Sequence, residues 1–168
     1  MQLLVIRHAI AEDREAFAKT GQPDSERPLT DDGRRRMRRS ARGLFRAGAR
    51  PDVLATSPYA RAAETAHIVA HTLGIKSIEI VDALRPEHPP HDLVPWLSRH
   101  ADGVVAGVVG HEPHLGVLIT WLVSGRAESN VVLKKGGAAL LDLGKRAEPG
   151  KAVLQWLLAP AHLRLMAD

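Results

Sequence analysis

Apolar residues follow two patterns along this chain: short unbroken runs, and longer segments in which they recur every three or four positions. The short runs are rich in Val, Ile and Leu and predict buried strands, whereas the longer spacing predicts amphipathic helices. Strands are predicted at 2–6, 52–57, 77–81, 103–110, 135–143 and 152–160, and helices at 28–48, 58–74, about 93–100 and 113–125. Because strands and helices alternate, we expect an α/β fold whose mostly parallel central sheet has helices on both faces and ends in a strand pair.

The helix predicted at 28–48 carries much of the excess positive charge. Thr30 is a suitable N-cap, acidic residues fill the first turn, and Gly48 ends the helix. One face should be an apolar stripe of Met37, Ala41, Leu44 and Phe45. The other faces carry Arg35, Arg36, Arg38, Arg39 and Arg42. We interpret these arginines as a solvated helix face rather than a nucleic-acid surface.

The length, composition and charge of the chain exclude several classes of protein and of catalytic site. A chain of 168 residues suits one domain, 1–168, with a substantial core. The absence of cysteine excludes disulfides, thiolate nucleophiles and cysteine-bound metals. No apolar run approaches the ~18 residues of a membrane span, and MQLLVIRH lacks the features of a signal peptide, so we expect a cytoplasmic protein. The net charge of +4 favours an anionic ligand, and a small phosphorylated one explains the charge as well as DNA does.

Three predicted strands end in residues suited to phosphate chemistry. LLVI runs into Arg7 and His8, VLATS leads to Arg61, and GVVAGVVG ends at His111. In open α/β sheets the ligand binds beyond the carboxyl ends of the strands, so these side chains should lie together. Arginine binds phosphate oxygens with two parallel hydrogen bonds and keeps its charge, and a neutral imidazole can attack phosphorus. Pro113, just past the strand, marks a helix start, and helix N-termini favour anions.

Four motifs in this order resemble the histidine phosphatase superfamily, which has the phosphoglycerate-mutase-like fold, and within it the short bacterial phosphohistidine phosphatases of the SixA type. LLVIRHAIAE resembles the N-terminal strand with its Arg-His pair, and ERPLTDDGRRRM resembles the RPLT segment of the SixA-type branch. SPYARAAETA resembles the arginine-bearing helix start, and VVGHEP the second histidine motif. The resemblance covers nearly the whole chain and implies a three-layer sandwich.

The resemblance also implies a role for each matching residue. His8 is expected to be the nucleophile that accepts the phosphoryl group. Arg7 and Arg61 would hold the phosphoryl oxygens, and His111 would complete the electropositive pocket. Because two guanidiniums and imidazoles would supply the charge, we expect neither a metal nor a cofactor.

The sequence departs from the family pattern at two positions. Ala9 stands where the wider family has glycine after the Arg-His pair, which we take as a property of the SixA-type branch. Many relatives also place a carboxylate after the third strand to protonate an alkoxide leaving group, and here Glu87 is the nearest candidate. A phosphorylated histidine leaves as imidazole, whose pKa of ~6.5 lets solvent protonate it. A weak acid site therefore favours a histidine-phosphorylated protein as the substrate.

Three other interpretations remain open. The same fold could hydrolyse a small phosphorylated metabolite with Glu87 as general acid. A metallohydrolase could use His88, His91, His111 and His114, although no accompanying carboxylates form a recognisable pattern. A protein without catalysis could bind phosphate, or bind nucleic acid through the arginine-rich helix, although we expect neither a nucleic-acid nor a membrane partner.

Overall fold

A six-stranded sheet forms the centre of the structure, a computed structural model that describes residues 1–100 and 103–167. The strands are β1 (Gln2–Arg7), β2 (Val53–Thr56), β3 (Ile78–Ile80), β4 (Val105–Gly110), β5 (Ala138–Asp142) and β6 (Val153–Leu158). Their order is β3-β2-β4-β1-β5-β6. Strands β1 to β4 pair in parallel, whereas β5 and β6 add to one edge as antiparallel strands. The predicted mostly parallel sheet with a final strand pair is confirmed.

Helices cover both faces of this sheet. They are α1 (Arg14–Ala18), α2 (Asp31–Arg46), α3 (Ala60–Leu73), α4 (Val94–Leu97), α5 (His114–Ser124) and α6 (Pro160–Leu165). Alternate residues of β1 enter different cores: Leu3 and Val5 pack with α4 and α5, and Leu4 and Ile6 pack with α2, α3 and α6. The three-layer arrangement with a two-sided sheet is therefore confirmed. In the described part of the chain, no helix has the length and apolar character needed to cross a membrane.

Helix α2 begins and packs as its sequence predicts, apart from one residue. The Thr30 hydroxyl accepts a hydrogen bond from the Gly33 amide at 2.9 Å, and the Met37 side chain is buried. Phe45 was predicted to belong to the same apolar stripe, and this is wrong because its side chain is 42% exposed under Arg50. It lies about 80° around the helix from Met37 and one residue before the last residue of α2, Arg46.

The carboxyl-terminal segment contains a helix that the apolar pattern did not predict. The strand predicted at 152–160 stops at Leu158, and Pro160 begins α6 instead. Proline has no amide hydrogen for a sheet ladder but suits the first turn of a helix. Leu163 of α6 is fully buried, and α2 approaches its carbonyl so closely at Gly43 that a Cβ there would lie 1.8 Å from that oxygen.

Two loops beyond the carboxyl ends of the parallel strands are partly helical. The polar segment 12–27 contains α1 and a 3₁₀ turn at Asp24–Glu26. The segment after β3 forms 3₁₀ turns at Asp82–Leu84 and Pro90–Leu93 before α4, so the predicted helix at 93–100 is much shorter.

Candidate active site

The ends of β1, β2 and β4 bring the four predicted site residues into one pocket. Arg7 lies opposite Gly110 in the parallel pair of β1 and β4, and the His8 amide donates to the Gly110 carbonyl at 3.0 Å. The imidazole rings of His8 and His111 are consequently 5.1 Å apart, centroid to centroid. Strand β2 lies on the other side of β4 and leads to Arg61 in the first turn of α3. The pocket has a volume of about 500 Å³.

His8 is held through one ring nitrogen, and the other has no hydrogen bond within residues 1–100 and 103–167. Its Nδ1 lies 2.7 Å from the Ala9 carbonyl, and because a carbonyl only accepts, Nδ1 carries the hydrogen. The lone pair of the neutral ring is then on Nε2. Burial, together with the positive charges of Arg61, Arg7 and Lys135, lowers the pKa of His8 to about 3. The ring is therefore neutral near pH 7.

His111 is also neutral. Its Nε2 lies 2.8 Å from the Ser57 hydroxyl oxygen, and its ring packs against the edge of Tyr59 with centroids 5.0 Å apart. Burial lowers the pKa of His111 to about 2, with smaller contributions from His8 and Arg61. The expectation that the imidazoles add positive charge is therefore not met near neutral pH. The positive charge of the pocket comes from its arginines and a lysine.

Arg61 is anchored by a residue that the sequence did not single out. Its Nη1 donates to the Asp24 carbonyl at 2.7 Å, and its Nη2 donates to Asp24 Oδ2 at 3.0 Å. The other carboxylate oxygen, Oδ1, accepts from Arg27 Nε at 2.8 Å. Burial alone would raise the pKa of Asp24, but Arg27, Arg61 and Arg14 outweigh it and lower the pKa. This ionised carboxylate therefore holds two guanidiniums at the pocket wall.

Arg7 is anchored by the segment 131–137, which crosses the end of β1. Its Nη1 donates to the Leu133 carbonyl at 2.6 Å, and the Leu133 amide donates to Glu112 Oε1 at 2.9 Å. The Gly136 amide bonds to the carbonyls of Arg7 and His8, which fixes the segment on the strand end. The neighbouring Lys135 thereby lines the pocket, although no motif in the sequence marks it.

Three buried polar atoms of the pocket have no hydrogen-bond partner in the described part of the chain. They are Arg7 Nε, Arg61 Nε and His111 Nδ1. Buried donors without partners are uncommon because each costs the free energy of its lost hydration. All three belong to predicted site residues that line the pocket, and the two guanidinium Nε atoms are donors.

Glu87 lies in the same pocket but at its rim. Its Oε2 accepts from the Tyr59 hydroxyl at a long 3.4 Å, and its Oε1 is 3.9 Å from Arg85 Nη1. More than half of the side chain is exposed, at 54%. The structure thus brings the carboxylate to the pocket, as the sequence suggested, without enclosing it.

The four histidines of the metallohydrolase interpretation do not form a metal site within the described residues. His88 faces Asp92 at 3.1 Å, whereas His111 faces Ser57 inside the pocket. His114 is buried in the first turn of α5, and neither of its ring nitrogens has a partner in residues 1–100 and 103–167. Over the same residues, no group of three or more His, Cys, Asp or Glu side chains has the arrangement of a metal site.

Comparison with known sequences agrees with this geometry. A sequence model described as the Histidine phosphatase superfamily (branch 1) matches residues 3–87, which include His8, Arg61 and Glu87. An uncharacterized protein of Picosynechococcus sp. is 32% identical over 146 residues, covering 86% of each chain. The chain belongs to the histidine phosphatase superfamily.

Within the histidine phosphatase superfamily, the SixA proteins are among its relatives. Phosphohistidine phosphatase SixA of Escherichia coli K12 is 26% identical over 168 residues, covering 98% of each chain. A solved structure of the protein histidine phosphatase SixA with tungstate superposes with a TM-score of 0.81 and 27% identity, covering 97% of this chain and 99% of that one. Phosphoserine phosphatase of Entamoeba histolytica shares the fold at a TM-score of 0.70 and 16% identity, covering 96% and 98%. The family and the SixA similarity support phosphatase activity for this chain.

Proposed function

We propose that the protein hydrolyses phosphohistidine on a phosphorelay-type protein through a covalent phosphohistidine formed at His8. The observation that carries the proposal is the state of His8: a neutral imidazole, fixed through Nδ1, whose Nε2 has no hydrogen bond to the described residues and lies in a pocket of arginines. The similarity to the E. coli phosphohistidine phosphatase supports the choice of substrate.

Substrate binding is assigned to the convergent donors of the pocket. The Nε atoms of Arg7 and Arg61 and the Nδ1 of His111 are buried without partners in the described chain, and phosphoryl oxygens would satisfy them. Each guanidinium is also fixed by a hydrogen bond to the protein, Arg7 to the Leu133 carbonyl and Arg61 to the Asp24 carboxylate. They therefore need no reorganisation when the phosphoryl group binds. Fixed donors of this kind favour the transition state, where charge spreads over the equatorial oxygens.

The reaction then takes place in two displacements. The other ring nitrogen of the substrate phosphohistidine first takes a proton from solvent. His8 Nε2 then attacks phosphorus, the bond from phosphorus to the substrate nitrogen breaks with its electron pair going to that nitrogen, and the substrate leaves as neutral imidazole. Water next attacks the phosphorus of phosphorylated His8, releasing inorganic phosphate and the original imidazole. The Nδ1 bond to the Ala9 carbonyl keeps Nε2 directed at the pocket in both steps. The bound phosphoryl dianion raises the affinity of nearby groups for protons, so His111 can donate a hydrogen bond to it.

The need of the leaving group for a proton distinguishes a phosphohistidine substrate from an alkyl phosphate. An imidazole is protonated by solvent near neutral pH because its pKa is ~6.5, so it needs no positioned acid. An alkoxide leaving group would need an enclosed acid that holds a proton for it. Glu87 is instead exposed at the rim of the pocket, 3.4 Å from the Tyr59 hydroxyl, which fits an imidazole leaving group better.

The test is to trap the phosphorylated enzyme. Enzyme mixed with 32P-labelled phosphohistidine protein and quenched within milliseconds should carry the label at His8, in an acid-labile and alkali-stable linkage. Label on any other residue, or turnover with no labelled enzyme under single-turnover conditions, contradicts the proposed intermediate.

A second candidate function is hydrolysis of a small phosphorylated metabolite, with Glu87 as the acid. The observation that favours it is that Glu87 lines the same pocket as His8 and bonds to Tyr59. Comparing kcat/KM for a phosphohistidine protein with kcat/KM for phosphate monoesters separates the two candidates. Higher values for the monoesters would put the metabolite phosphatase first.

A further inference from the structure

A second, smaller cleft adjoins the candidate active site behind His8. It has a volume of about 90 Å³ and lies between the backbone that follows His8, the first half of α2, and α6. Ala9 and Ile10 form its inner wall, so it begins one residue beyond the proposed nucleophile. Lys135 lines both the cleft and the catalytic pocket. The two cavities therefore share the Lys135 side chain as part of their lining.

Among the described residues, those with a charge that line the cleft are all cationic. They are Arg36, Lys135 and Arg164, and within 1–100 and 103–167 no carboxylate lines it. Arg36 is paired with Asp32 at 2.6 Å, whereas Lys135 and Arg164 have no ion pair within residues 1–100 and 103–167. A cleft lined by one sign of charge concentrates the electrostatic potential and attracts the opposite charge. The catalytic pocket differs, since Asp24, Glu87 and Glu112 also line it.

The walls of the cleft are fixed before any ligand binds. The start of α2 is docked on Ile10, whose carbonyl accepts from the Thr30 amide at 3.0 Å. A Cβ at Gly33 would lie 2.1 Å from the same carbonyl oxygen, so only glycine permits this approach. Gly136 has a φ of +78° beside Met37 and Pro160, which turns the Lys135 segment onto α6. These contacts fix the backbone of the segments that carry Arg36 and Lys135.

We propose that this cleft, lined by Arg36, Lys135 and Arg164, is a subsite for a second anionic group of the substrate, a carboxylate or phosphate other than the phosphoryl group being transferred. The proposal rests on the proposed function and adds to it a preference for acidic substrates. It also gives the α6 helix, which the catalytic steps do not use, a role in recognition. The anionic group can come from an acidic side chain near the phosphohistidine of a protein, or from the substrate itself if that is a small molecule.

The experiment uses matched substrates with and without the second charge. One pair is a phosphohistidine peptide with Asp and Glu beside the histidine, and the same peptide with Asn and Gln. The other pair is N-acetylphosphohistidine, which has a carboxylate, and its uncharged amide. Wild-type protein should give about a fivefold higher kcat/KM for the charged member of at least one pair, through KM, in the range of a partly exposed ion pair. The responding pair identifies the source of the anion.

Arg164 is the residue to change, because it lines the cleft but not the catalytic pocket. Arg164→Gln should abolish the preference by raising KM for the charged substrate, and leave kcat and the uncharged substrate within twofold. Arg164→Lys should restore part of the preference. Arg38→Gln, an exposed arginine of α2 that does not line the cleft, is the matched control and should change neither substrate.

The outcomes separate this proposal from the proposed function. If wild-type protein hydrolyses phosphohistidine without any preference for charge, or if Arg164→Gln keeps the preference, the subsite is wrong and the catalytic assignment stands. If no phosphohistidine substrate is hydrolysed, the proposed function fails. Binding of the same two peptides to His8→Ala, with and without Arg164→Gln, then decides the subsite by calorimetry. Equal affinities for the charged and uncharged peptides would overturn it.

Discussion

The arginines of two regions of this molecule, helix α2 and the catalytic pocket, differ in their exposure and in the direction of their pKa shifts. On α2, Arg35 and Arg36 are exposed, and both pair with Asp32 one turn earlier. The half-buried Arg34 pairs with Asp31 in the same way at 2.9 Å. The pKa of Arg34 is raised, first by its hydrogen bond to Glu64. In the pocket, burial instead lowers the pKa of Arg7 and Arg61.

The comparison indicates that the functional site is identified by the burial of its guanidinium groups rather than by the number of arginines in a region. Exposed ion pairs are hydrated and screened by salt, so they contribute little energy and bind solvent ions only weakly. A buried guanidinium such as that of Arg61, 5% exposed, has lost its water and gains more from an anion. The predictions below test this contrast between the pocket and the exposed face of α2.

The largest effect is expected from His8→Ala. Removal of the Nε2 lone pair should lower the rate of phosphohistidine hydrolysis at least about a thousandfold, which is about 4 kcal/mol of barrier. The fold should persist, since the side chain lies at a pocket rather than within either core. Arg42→Gln, an exposed residue of α2, is the control and should retain the wild-type rate. Single-turnover assays, with circular dichroism to confirm folding, measure both. A His8→Ala rate within tenfold of wild type would remove His8 as the nucleophile.

The sequence predicted those parts of the site that follow strand ends. Arg7, His8 and His111 are adjacent because parallel strands align their carboxyl ends, and the apolar runs located those ends. Arg61 follows β2 for the same reason.

The remaining pocket residues depend on contacts that no local pattern encodes. Asp24 reaches Arg61 from a loop 37 residues away, and Lys135 is placed because the Leu133 carbonyl and the Gly136 amide bond to Arg7. Helix α6 was missed because its six residues show too few turns for a helical period, although Pro160 marked its start.

The second largest effect is expected on stability: the free energy of unfolding should decrease at acidic pH because three histidines are buried in their neutral form. Burial lowers the pKa of His8 to about 3, of His111 to about 2 and of His114 to about 4, while the same side chains titrate near 6.5 when unfolded. As the pH falls below 6.5, the unfolded chain therefore binds protons that the folded chain does not, and the free energy of unfolding decreases. Three such groups should remove roughly 3 kcal/mol per pH unit between pH 6.5 and 5.5.

Urea unfolding at these two pH values measures this slope, and His114→Leu is the matched variant. His114 has no partner for either ring nitrogen in the described chain, so leucine removes one titrating group without breaking a hydrogen bond. The slope should fall by about a third. High salt should leave it largely unchanged, because burial is not screened as the ion pairs of α2 are. An identical slope in wild type and His114→Leu would show that His114 does not titrate in this way.

A smaller effect is expected from Arg61→Gln, compared with Arg42→Gln on α2. Loss of the buried guanidinium should weaken competitive inhibition by vanadate about thirtyfold, or about 2 kcal/mol, in the range for a hydrogen bond to a charged group. Loss of the exposed guanidinium should leave the inhibition constant unchanged. Inhibition constants for vanadate, measured at two salt concentrations, make the comparison. If both variants lose affinity equally, general positive charge rather than the pocket holds the anion.

The smallest effect is expected from Glu87→Gln. This variant tests whether an exposed residue that lines the pocket behaves like a buried pocket residue or like an exposed charge of α2. Glu87 lines the pocket, yet it is 54% exposed and its bond to the Tyr59 hydroxyl is long. We expect it to behave like the exposed charges of α2, lowering the rate on phosphohistidine only a few fold, whereas a positioned general acid contributes about 100- to 10,000-fold. On an alkyl phosphate, whose leaving group needs a proton, the same variant should lose more or start from a very low rate. Measuring kcat/KM for both substrates with wild type and Glu87→Gln distinguishes these cases. A hundredfold loss on phosphohistidine would make Glu87 the proton donor despite its exposure, and would favour the small phosphorylated metabolite as the substrate.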